Sequence, residues 1–265
     1  MTVLVCPFDP VTQKEKEAVL AYRKDHRETE ICVVPAAEGT LSFETRLRLL
    51  KKAFAPYRHV HVLSAAEDAV QLEEADEEAV RSGMFRLAAS GIRRILIEEG
   101  FFLQETAKAM CRERRYVHSA GVAATCRRLA QAHHMDQAEA LKAGWLHDVT
   151  KAMPDEEAEK IIAVWKPEWL SISPKVWHSY TAVVWLKQNM GLHDRRILNA
   201  IEHHTLGDGN SSLDRILYIA DKIEPGRGYD TSREWDLAAK DLKKGAGLVR
   251  EESRSYIYEK EGIHV

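Results

Sequence analysis

The stretch Gly144-Trp145-Leu146-His147-Asp148-Val149-Thr150-Lys151 ends an apolar helical run and sets a histidine beside an aspartate, with a lysine one turn later. A His-Asp pair means little by itself, because a chain with 12 histidines contains such neighbours by chance. Asp148 is unusual, however, because it shares a predicted helical stripe with Leu141 and Trp145. The importance of the pair therefore depends on which other polar residues the chain places on apolar faces.

Length and composition limit the possible classes of protein. A chain of 265 residues, 45% of them hydrophobic, can form two modest domains with buried cores. The formal net charge is −3 and both signs are interspersed, which favours a small-molecule partner over nucleic acid. No run of eighteen apolar residues and no apolar leader occur, so we predict a cytoplasmic protein without membrane contact.

The four cysteines lie far apart and form no Cys-x-x-Cys pair. This spacing favours reduced thiols over a disulfide framework or a thiolate zinc site. Any bound metal is therefore expected to use histidine and carboxylate ligands.

The first hundred residues alternate between apolar runs and helix-forming segments. Strands are predicted at residues 3–8, 30–35 and 59–63, and helices at residues 14–24 and 43–54. This order predicts an α/β domain with a Rossmann-like parallel sheet. Ligands bind such sheets at the carboxyl ends of the strands, so Phe8-Asp9-Pro10 would lie at any nucleotide site. The acidic stretch between Leu63 and Met84 is interpreted as a solvated helix face or mobile loop.

Phe8-Asp9-Pro10 resembles a motif of the nicotinate-nucleotide adenylyltransferase family, in which two following histidines contact the triphosphate. Here Thr12 and Glu15 stand at the histidine positions and Cys6 at a glycine position. A glutamate beside a triphosphate is repulsive, and cysteine lacks the conformational freedom of glycine. The family's later phosphate motif is matched only at Ser82 and Arg86. The resemblance implies a truncated, degenerate domain over residues 1–98, retained for packing or association, in which adenylyl transfer is not expected.

The second half is predicted to be an all-α domain over residues 101–265, because amphipathic segments follow one another with little strand character. The segments read as helices are residues 101–115, 119–132, 136–148, 194–204 and 213–224. Asp136 and Asp194 are the expected N-caps. The helix after Asp194 directs His204 inward and His203 toward its flank.

Several polar residues in this half need an explanation. Asp148 and Asp221 lie on apolar stripes, and burying an unpaired carboxylate costs several kcal/mol. Salt bridges to lysine or arginine would explain each aspartate alone, as capping or core packing would explain one histidine. The full set lies on different helices or helix ends: His118, His147, Asp148, His178, His204 and Asp221. Since neutral imidazoles and carboxylates are preferred ligands of iron, manganese and zinc, the set predicts a metal site.

Two cations could serve a phosphate substrate beside this site. Lys151 follows His147 by four residues, so on a continuous helix its ammonium reaches the same surface. Lys151 is either a surface lysine paired with Asp148 or a phosphate clamp. Arg227 follows the helix stop at Pro225-Gly226 and suits a bidentate phosphate contact, the alternative being a solvated loop arginine.

The second half resembles the HD-domain metal-dependent phosphohydrolases, and within them the YqeK family of symmetrical diadenosine tetraphosphate hydrolases. The matching motifs follow one another at residues 115–119, 144–151, 177–179, 200–207, 219–227 and 261–264. The most specific is the stretch from Ala220 to Arg227, which reads Ala-Asp-Lys-Ile-Glu-Pro-Gly-Arg. Ser179 and Leu206 depart from the family pattern, which affects substrate contacts more than metal binding.

The resemblance implies a dinuclear site, with iron as the expected metal and manganese or another transition metal as alternatives. One ion would be held by His118, His147, Asp148 and Asp221. The second would be held by His178 and His204, with Asp148 bridging. A metal-activated water would cleave diadenosine tetraphosphate into two ADP, while Lys151 or Arg227 takes up phosphoryl charge.

Two other functions stay open at this point. One is an HD phosphohydrolase acting on a different nucleotide, such as a deoxynucleotide or a monophosphate. The other is a nucleotide-binding module whose first domain determines the partner. A homo-oligomer is compatible with each of these functions.

Overall fold

The computed structural model describes residues 2–261, with side chains as far as residue 254. The chain divides into two compact units. Unit 1 contains Met1–Phe102 and Gln188–Gly191, and unit 2 contains Leu103–Lys187 and Leu192–Val265. The terminal motif lies largely outside the described residues, since Gly262, Ile263 and His264 are not described and Glu261 is described only as helical backbone.

Unit 1 contains a parallel sheet of four strands in the order β3-β2-β1-β4. The strands are β1 (Thr2–Cys6), β2 (Ile31–Pro35), β3 (Val60–Val62) and β4 (Val70–Gln71). All five residues of β2 are buried, as expected for a strand of a parallel sheet covered on both faces. The predicted α/β class is confirmed, but β4 was missed because it is an exposed pair of residues inside the acidic stretch.

Four helices belong to unit 1: α1 (Gln13–Asp25), α2 (Phe43–Phe54), α3 (Glu77–Arg81) and α4 (Arg93–Glu99). The interpretation of the acidic stretch as solvated is wrong for part of its length. Glu77 opens α3 and is only 3% exposed. Its burial follows from the position of α3, which was not visible in the charge pattern.

Unit 2 is all helical in its described part, as predicted. Its helices are α5 (Leu103–Met110), α6 (Glu113–Ala132), α7 (Gln137–Leu146), α8 (Asp155–Trp165), α9 (Pro174–Trp185), α10 (Arg195–His203), α11 (Ser212–Ile223), α12 (Ser232–Lys240) and α13 (Leu242–Glu261). Asp136 and Asp194 cap α7 and α10 by accepting hydrogen bonds from backbone N–H groups of the first turn. No helix of the described chain is both long and apolar enough to cross a membrane.

The boundary between α5 and α6 differs from the prediction of one helix over residues 101–115. Arg112 has extended backbone (φ −66°, ψ 155°), so the chain leaves α5 and starts α6 at Glu113. His118 consequently lies in the second turn of α6 and not at the start of a helix.

A close approach between α6 and α7 positions the centre of unit 2. A side-chain carbon at Gly144 would lie 2.5 Å from Ala123 Cα, so only glycine allows the two backbones to meet there. Leu129 of α6, Leu146 of α7 and Leu217 of α11 are all buried in unit 2. The end of α7 is thereby held against the middle of α6, close to His118.

Candidate metal centre

Six predicted ligands converge within unit 2, from the ends or inner faces of several helices. His118 and Asp221 lie within α6 and α11, His178 lies within α9, and His147 and His204 are the C-caps of α7 and α10. The side chains are at most 10% exposed. The structure therefore brings all six candidates into one buried cluster.

The His147-Asp148 pair does not continue a helix, contrary to the prediction. The helix α7 ends at Leu146, and residues 147–152 form turns. His147, the C-cap, keeps α-helical backbone angles (φ −60°, ψ −34°), and the turns carry the chain on from there. His147 Nε2 and Asp148 Oδ2 lie 3.4 Å apart. The turns also bring Lys151 back toward the cluster, where its backbone N–H donates to Asp148 O at 2.9 Å.

Four ligand atoms form the first group of the cluster. His118 Nε2 lies 3.0 Å from Asp221 Oδ1 and 4.0 Å from Asp148 Oδ2. His147 Nε2 lies 3.4 Å from Asp148 Oδ2 and 3.9 Å from Asp221 Oδ1. Ligand atoms bound to one tetrahedral ion at 2.0–2.1 Å lie about 3.4 Å from one another. These four atoms therefore have the spacing of a metal cage.

The other oxygen of Asp148 faces a second group. Asp148 Oδ1 lies 3.1 Å from His178 Nε2 and 3.7 Å from His204 Nε2, and the two imidazole nitrogens are 3.2 Å apart. Lys151 Nζ lies 3.3 Å from His178 Nε2. Asp148 thus directs one oxygen to each group.

Hydrogen bonds at Nδ1 fix the orientation of all four histidines. His147, His178 and His204 each place Nδ1 against the carbonyl oxygen three residues earlier, at 2.7, 3.0 and 2.6 Å. His118 places Nδ1 3.0 Å from Glu224 Oε1. For His118, His147 and His204 these partners accept a proton from Nδ1, which directs Nε2 of each ring toward the cluster. His178 Nδ1 lies equally close, at 3.0 Å, to Lys151 Nζ, which donates.

The directions of the Nε2 atoms and their hydrogen-bond partners show whether the residues fit a cation. His147 Nε2 is buried and has no hydrogen-bond partner among the described residues. It faces carboxylate oxygens, with Asp148 Oδ2 at 3.4 Å. His178 Nε2 and His204 Nε2 likewise face each other at 3.2 Å. Such an arrangement is costly unless a positive ion or a proton lies between the atoms. The donor set therefore fits a divalent metal, which an HD domain of this kind binds.

The electrostatics within the cluster keep both aspartates ionised and two of the histidines neutral. Burial opposes charge on both aspartates, but His147 holds the pKa of Asp148, and Lys222 that of Asp221, well below the usual range. Burial lowers the pKa of His178, and lowers that of His204 to about 4, so both rings are neutral at physiological pH. For His147 burial is outweighed by Asp148 and Asp221, and its pKa is raised.

Cations from the protein also meet the two aspartates. Arg115 donates to Asp148 Oδ2 at 2.8 Å. Lys222 and Arg227 donate to Asp221 Oδ2 and Oδ1, each at 2.8 Å. The salt bridges that the sequence offered as an alternative explanation are therefore present, and they surround the same oxygens that face the histidines.

A cavity of about 200 Å³ opens onto the cluster. Asp148, His178, His204 and Asp221 line it together with Arg115, Lys151, Lys222, Arg227 and Thr205. Four of these side chains are cationic. A polyanion entering the cavity would meet both the ligand cluster and a ring of positive charge.

Three functional candidates were not included in the sequence-based site. Arg115 and Lys222 contact the aspartates, and Glu224 orients His118. The sequence spacing could have pointed to two of these residues. Arg115 precedes His118 by three residues and Glu224 follows Asp221 by three, and residues three apart lie on the same face of a helix. Their contacts with residues of other helices depend on the fold.

His203 is separated from the cluster. Its Nδ1 lies 2.8 Å from Asp208 Oδ1, and its side chain is 33% exposed. His204, in contrast, is 1% exposed. The inward direction of His204 and the flanking position of His203 therefore agree with the helical pattern.

The carboxyl ends of the strands in unit 1 also contain buried polar groups. Asp9 Oδ1 accepts a hydrogen bond from Leu41 N at 2.9 Å, and Asp9 Oδ2 accepts one from Thr40 N. Arg46 is 1% exposed and donates to carbonyl oxygens, including those of Pro7 and Ala36 at 2.9 and 2.8 Å. The polar groups at this end of the sheet are thus bound to the protein's own backbone.

Thr12 and Glu15, at the positions where the adenylyltransferase motif has histidines, form the capping box of α1. Thr12 Oγ1 accepts from Glu15 N, and Glu15 Oε2 accepts from Thr12 N at 2.9 Å. Glu15 is only 1% exposed, so it points into unit 1 and not toward a solvent-accessible phosphate site. This burial, more than charge repulsion, separates the motif from its counterpart in the adenylyltransferases.

Comparison with known proteins places these observations in a class. The family model described as "HD domain" matches residues 115–226, a range that holds all six ligands, Lys151 and Glu224. A crystal structure described as a predicted HD superfamily hydrolase involved in NAD metabolism, from Clostridium acetobutylicum, is 31% identical with a TM-score of 0.55. The alignment covers 61% of this chain and 88% of that one. The fold and the site define an HD-domain metal-dependent phosphohydrolase.

Two kinds of similar protein show which family within this class the chain belongs to. The symmetrical bis(5'-nucleosyl)-tetraphosphatase of Bacillus subtilis (strain 168) is 36% identical over 143 residues, which are 52% of this chain and 76% of that protein. A probable nicotinate-nucleotide adenylyltransferase/Ap4A hydrolase of Mycoplasma pneumoniae is 32% identical over 184 residues, 65% of this chain. The match covers about half, 52%, of that longer relative. The chain belongs to the family of symmetrical bis(5'-nucleosyl)-tetraphosphatases.

Proposed function

We propose that the protein hydrolyses diadenosine tetraphosphate symmetrically to two ADP at the cluster in unit 2. One observation carries the proposal: four imidazole Nε2 atoms and two carboxylates converge in one buried cluster, beside a cavity ringed by four cationic side chains. A divalent metal suits the cluster, and a chain of phosphates suits the ring. The names of the relatives agree with this substrate.

The proposed site holds two ions, with iron expected and manganese as the alternative. One ion would be bound by His118, His147, Asp148 and Asp221. The other would be bound by His178, His204 and the second oxygen of Asp148. When bound, such metals supply Lewis acidity and lower the pKa of water, which provides a nucleophile near neutral pH.

The chain's own residues would bind and orient the polyphosphate. Arg115, Lys151 and Arg227 line the same cavity from separate segments, so together they can contact phosphoryl oxygens on different sides. Loss of hydration lowers the pKa of Lys151, with Asp148 acting in the opposite direction. Positive charge fixed beside the scissile anhydride stabilises the charge that develops as the bond breaks.

We further propose that residues 101–265 form the hydrolase domain and that residues 1–98 form a degenerate nucleotidyltransferase-like domain. The support for the second assignment is the use of Asp9, Thr12 and Glu15 in contacts within unit 1. These side chains are at most 2% exposed. We expect this domain to contribute packing or association without adenylyl transfer.

The experiment is a product assay on the full chain loaded with iron or manganese. Diadenosine tetraphosphate should yield ADP alone, and elemental analysis should find the metal bound. AMP together with ATP, or no turnover, would remove the proposed reaction. Deoxynucleotides and nucleoside monophosphates in parallel reactions test the alternative substrate, and tight nucleotide binding without any turnover would favour a binding module.

Partners and cellular location are proposed only in outline. We expect a small nucleotide as the ligand, no nucleic-acid or membrane partner, and a cytoplasmic location. Light scattering of the purified chain tests whether it forms a homo-oligomer.

A further inference from the structure

A second, larger cavity in unit 2 adjoins the cluster. Its volume is about 710 Å³, compared with about 200 Å³ for the cavity over the ligands. Its walls come from the first turns of α6 and from the segment that follows α11. We call it the arginine cavity, because Arg112, Arg114, Arg115 and Arg227 line it.

The two cavities share Arg115 and Arg227. These residues also donate to the two aspartates of the cluster, Arg115 to Asp148 and Arg227 to Asp221. A phosphate chain that passes between these two guanidinium groups would therefore have one end at the cluster and the other in the arginine cavity. The two cavities therefore adjoin at these two guanidinium groups.

Arg112 and Arg114 add charge that the cluster does not use. Both are exposed, and neither has an ion pair in the described part of the chain. The carboxylate on this wall, Glu224, is already bound to His118 Nδ1 and accepts from Gly226 N at 2.6 Å. The remaining charge of the cavity is therefore strongly positive and available to an anion.

Size distinguishes the roles of the two cavities. Pockets that bury a nucleotide-sized ligand have volumes of roughly 300–1,000 Å³, so the cavity over the ligands is too small and the arginine cavity is large enough. Val117, which is 56% exposed, adds an apolar surface to the same wall. A ligand with phosphates at one end and an apolar ring system at the other matches these features.

We propose that the arginine cavity is the subsite for one nucleoside diphosphate half of the substrate, with Arg112 and Arg114 as its specificity-determining phosphate contacts. This inference rests on the proposed function and adds the location of the half that extends away from the cluster. Arg115 and Arg227 contact the phosphates nearest the scissile bond. Val117 contacts the nucleoside.

The test is direct binding of ADP to the metal-loaded full chain by calorimetry, alongside steady-state hydrolysis of diadenosine tetraphosphate. An arginine–phosphate contact contributes roughly tenfold or more in affinity, so each of Arg112→Ala and Arg114→Ala should weaken ADP binding by about that factor. The double variant should raise KM for the tetraphosphate in parallel, with the main effect on KM and not on kcat. Val117→Ser should weaken ADP binding while leaving inorganic pyrophosphate binding close to that of the wild type.

Arg127→Ala is the matched control, because Arg127 is an exposed arginine near the opposite end of the same helix, α6. It removes the same charge outside the cavity and should change neither binding nor KM. The inference is overturned if the double variant binds ADP as tightly as Arg127→Ala does. This holds even if the wild type converts the tetraphosphate to ADP, which would support the proposed reaction alone. A wild type that does not cleave the tetraphosphate, with ADP binding still lost in the double variant, would remove the proposed reaction and support the subsite.

Discussion

Among the described residues, two buried clusters contain metal-binding residue types, one in each unit. Cys6, Glu15 and Glu77 in unit 1 bring three ligand-type atoms within 4.8 Å of one another. In unit 2, Asp148 does the same with His118 and His147 and again with His178 and His204. Residue type and proximity do not separate these clusters, but the hydrogen bonds around them do.

In the first cluster most polar atoms are already bound within unit 1, and among its described carboxylate oxygens only Glu77 Oε1 has no hydrogen-bond partner. Glu15 accepts from the backbone N–H groups of Thr12 and Ala75, at 2.9 and 3.3 Å, and lies 3.6 Å from the Cys6 thiol. Burial raises the pKa of Glu15 to about 8, with Glu77 adding to the shift. Burial likewise raises the pKa of Cys6, which keeps it a thiol. Protons and backbone donors therefore satisfy Cys6 and Glu15 without an ion.

In the second cluster the protein forms hydrogen bonds with the side of each imidazole ring that faces away from the cluster. Carbonyl oxygens or Glu224 contact Nδ1 of each of its four histidines and leave Nε2 directed into the cluster. A buried cluster is thus prepared for a metal when hydrogen bonds on its outer side orient the ligand atoms toward one another.

Removal of the bridging aspartate should have the largest effect. We expect Asp148→Ala, and likewise His147→Ala, to lose metal and tetraphosphate hydrolysis together, because Asp148 faces both groups of ligands. Elemental analysis and the product assay measure the two losses. Glu77→Gln, the counterpart in unit 1, should keep both properties. Stoichiometric metal in Asp148→Ala would contradict the assignment.

Loss of Lys151 should separate substrate contact from metal binding. Lys151→Ala removes one cation from the cavity but no metal ligand, so metal content should stay constant while kcat falls by about 10²-fold. Lys160→Ala, which changes an exposed lysine of α8, is the control and should leave kcat unchanged. Parallel loss of metal in Lys151→Ala would show that the lysine supports the cluster itself.

Loss of the carboxylate behind His118 tests the orientation argument. Glu224→Ala frees His118 Nδ1 and should weaken metal affinity by roughly 10–100-fold, as is typical for a partner of a ligating histidine. Glu224→Gln keeps an acceptor and should recover part of that affinity. Glu113→Gln removes the same charge from the start of α6 and should leave the affinity unchanged. Equal affinity in all three variants, measured by competition with a chelator, would refute the role of Glu224.

The protonated glutamate of unit 1 should produce a smaller, pH-dependent effect. Since the pKa of Glu15 is about 8 in the folded chain and near 4.5 when unfolded, its stabilisation is complete below pH 4.5 and is lost as pH rises toward 8. The free energy of unfolding should therefore fall by at most about 1.4 kcal/mol per pH unit in this window.

Glu15→Gln keeps the capping interaction and should remove this pH dependence. Pulse proteolysis in urea, read from peptides of residues 2–62, measures the stability of unit 1. Glu17→Gln, an exposed neighbour on α1, should behave as the wild type. A slope that persists in Glu15→Gln would assign the proton to another group.

Much of this architecture is local and could be predicted. The helix α2 has the predicted bounds, and Asp136 and Asp194 cap the helices they were expected to cap. Hydrophobic periodicity and caps act over a few residues, so they can be recognised without the fold. The six candidate ligands were also recognisable, because a carboxylate on an apolar stripe is costly to bury and implies a partner.

Periodicity along one helix was enough to predict that Asp221 and His204 face inward. Which atoms meet depends on how the helices pack. The end of α7 after Leu146 gives Asp148 an oxygen for each group, Glu224 reaches His118 from another segment, and Glu15 turns into unit 1. These contacts join residues far apart in the chain, and their hydrogen bonds depend on angles and distances that no local pattern contains.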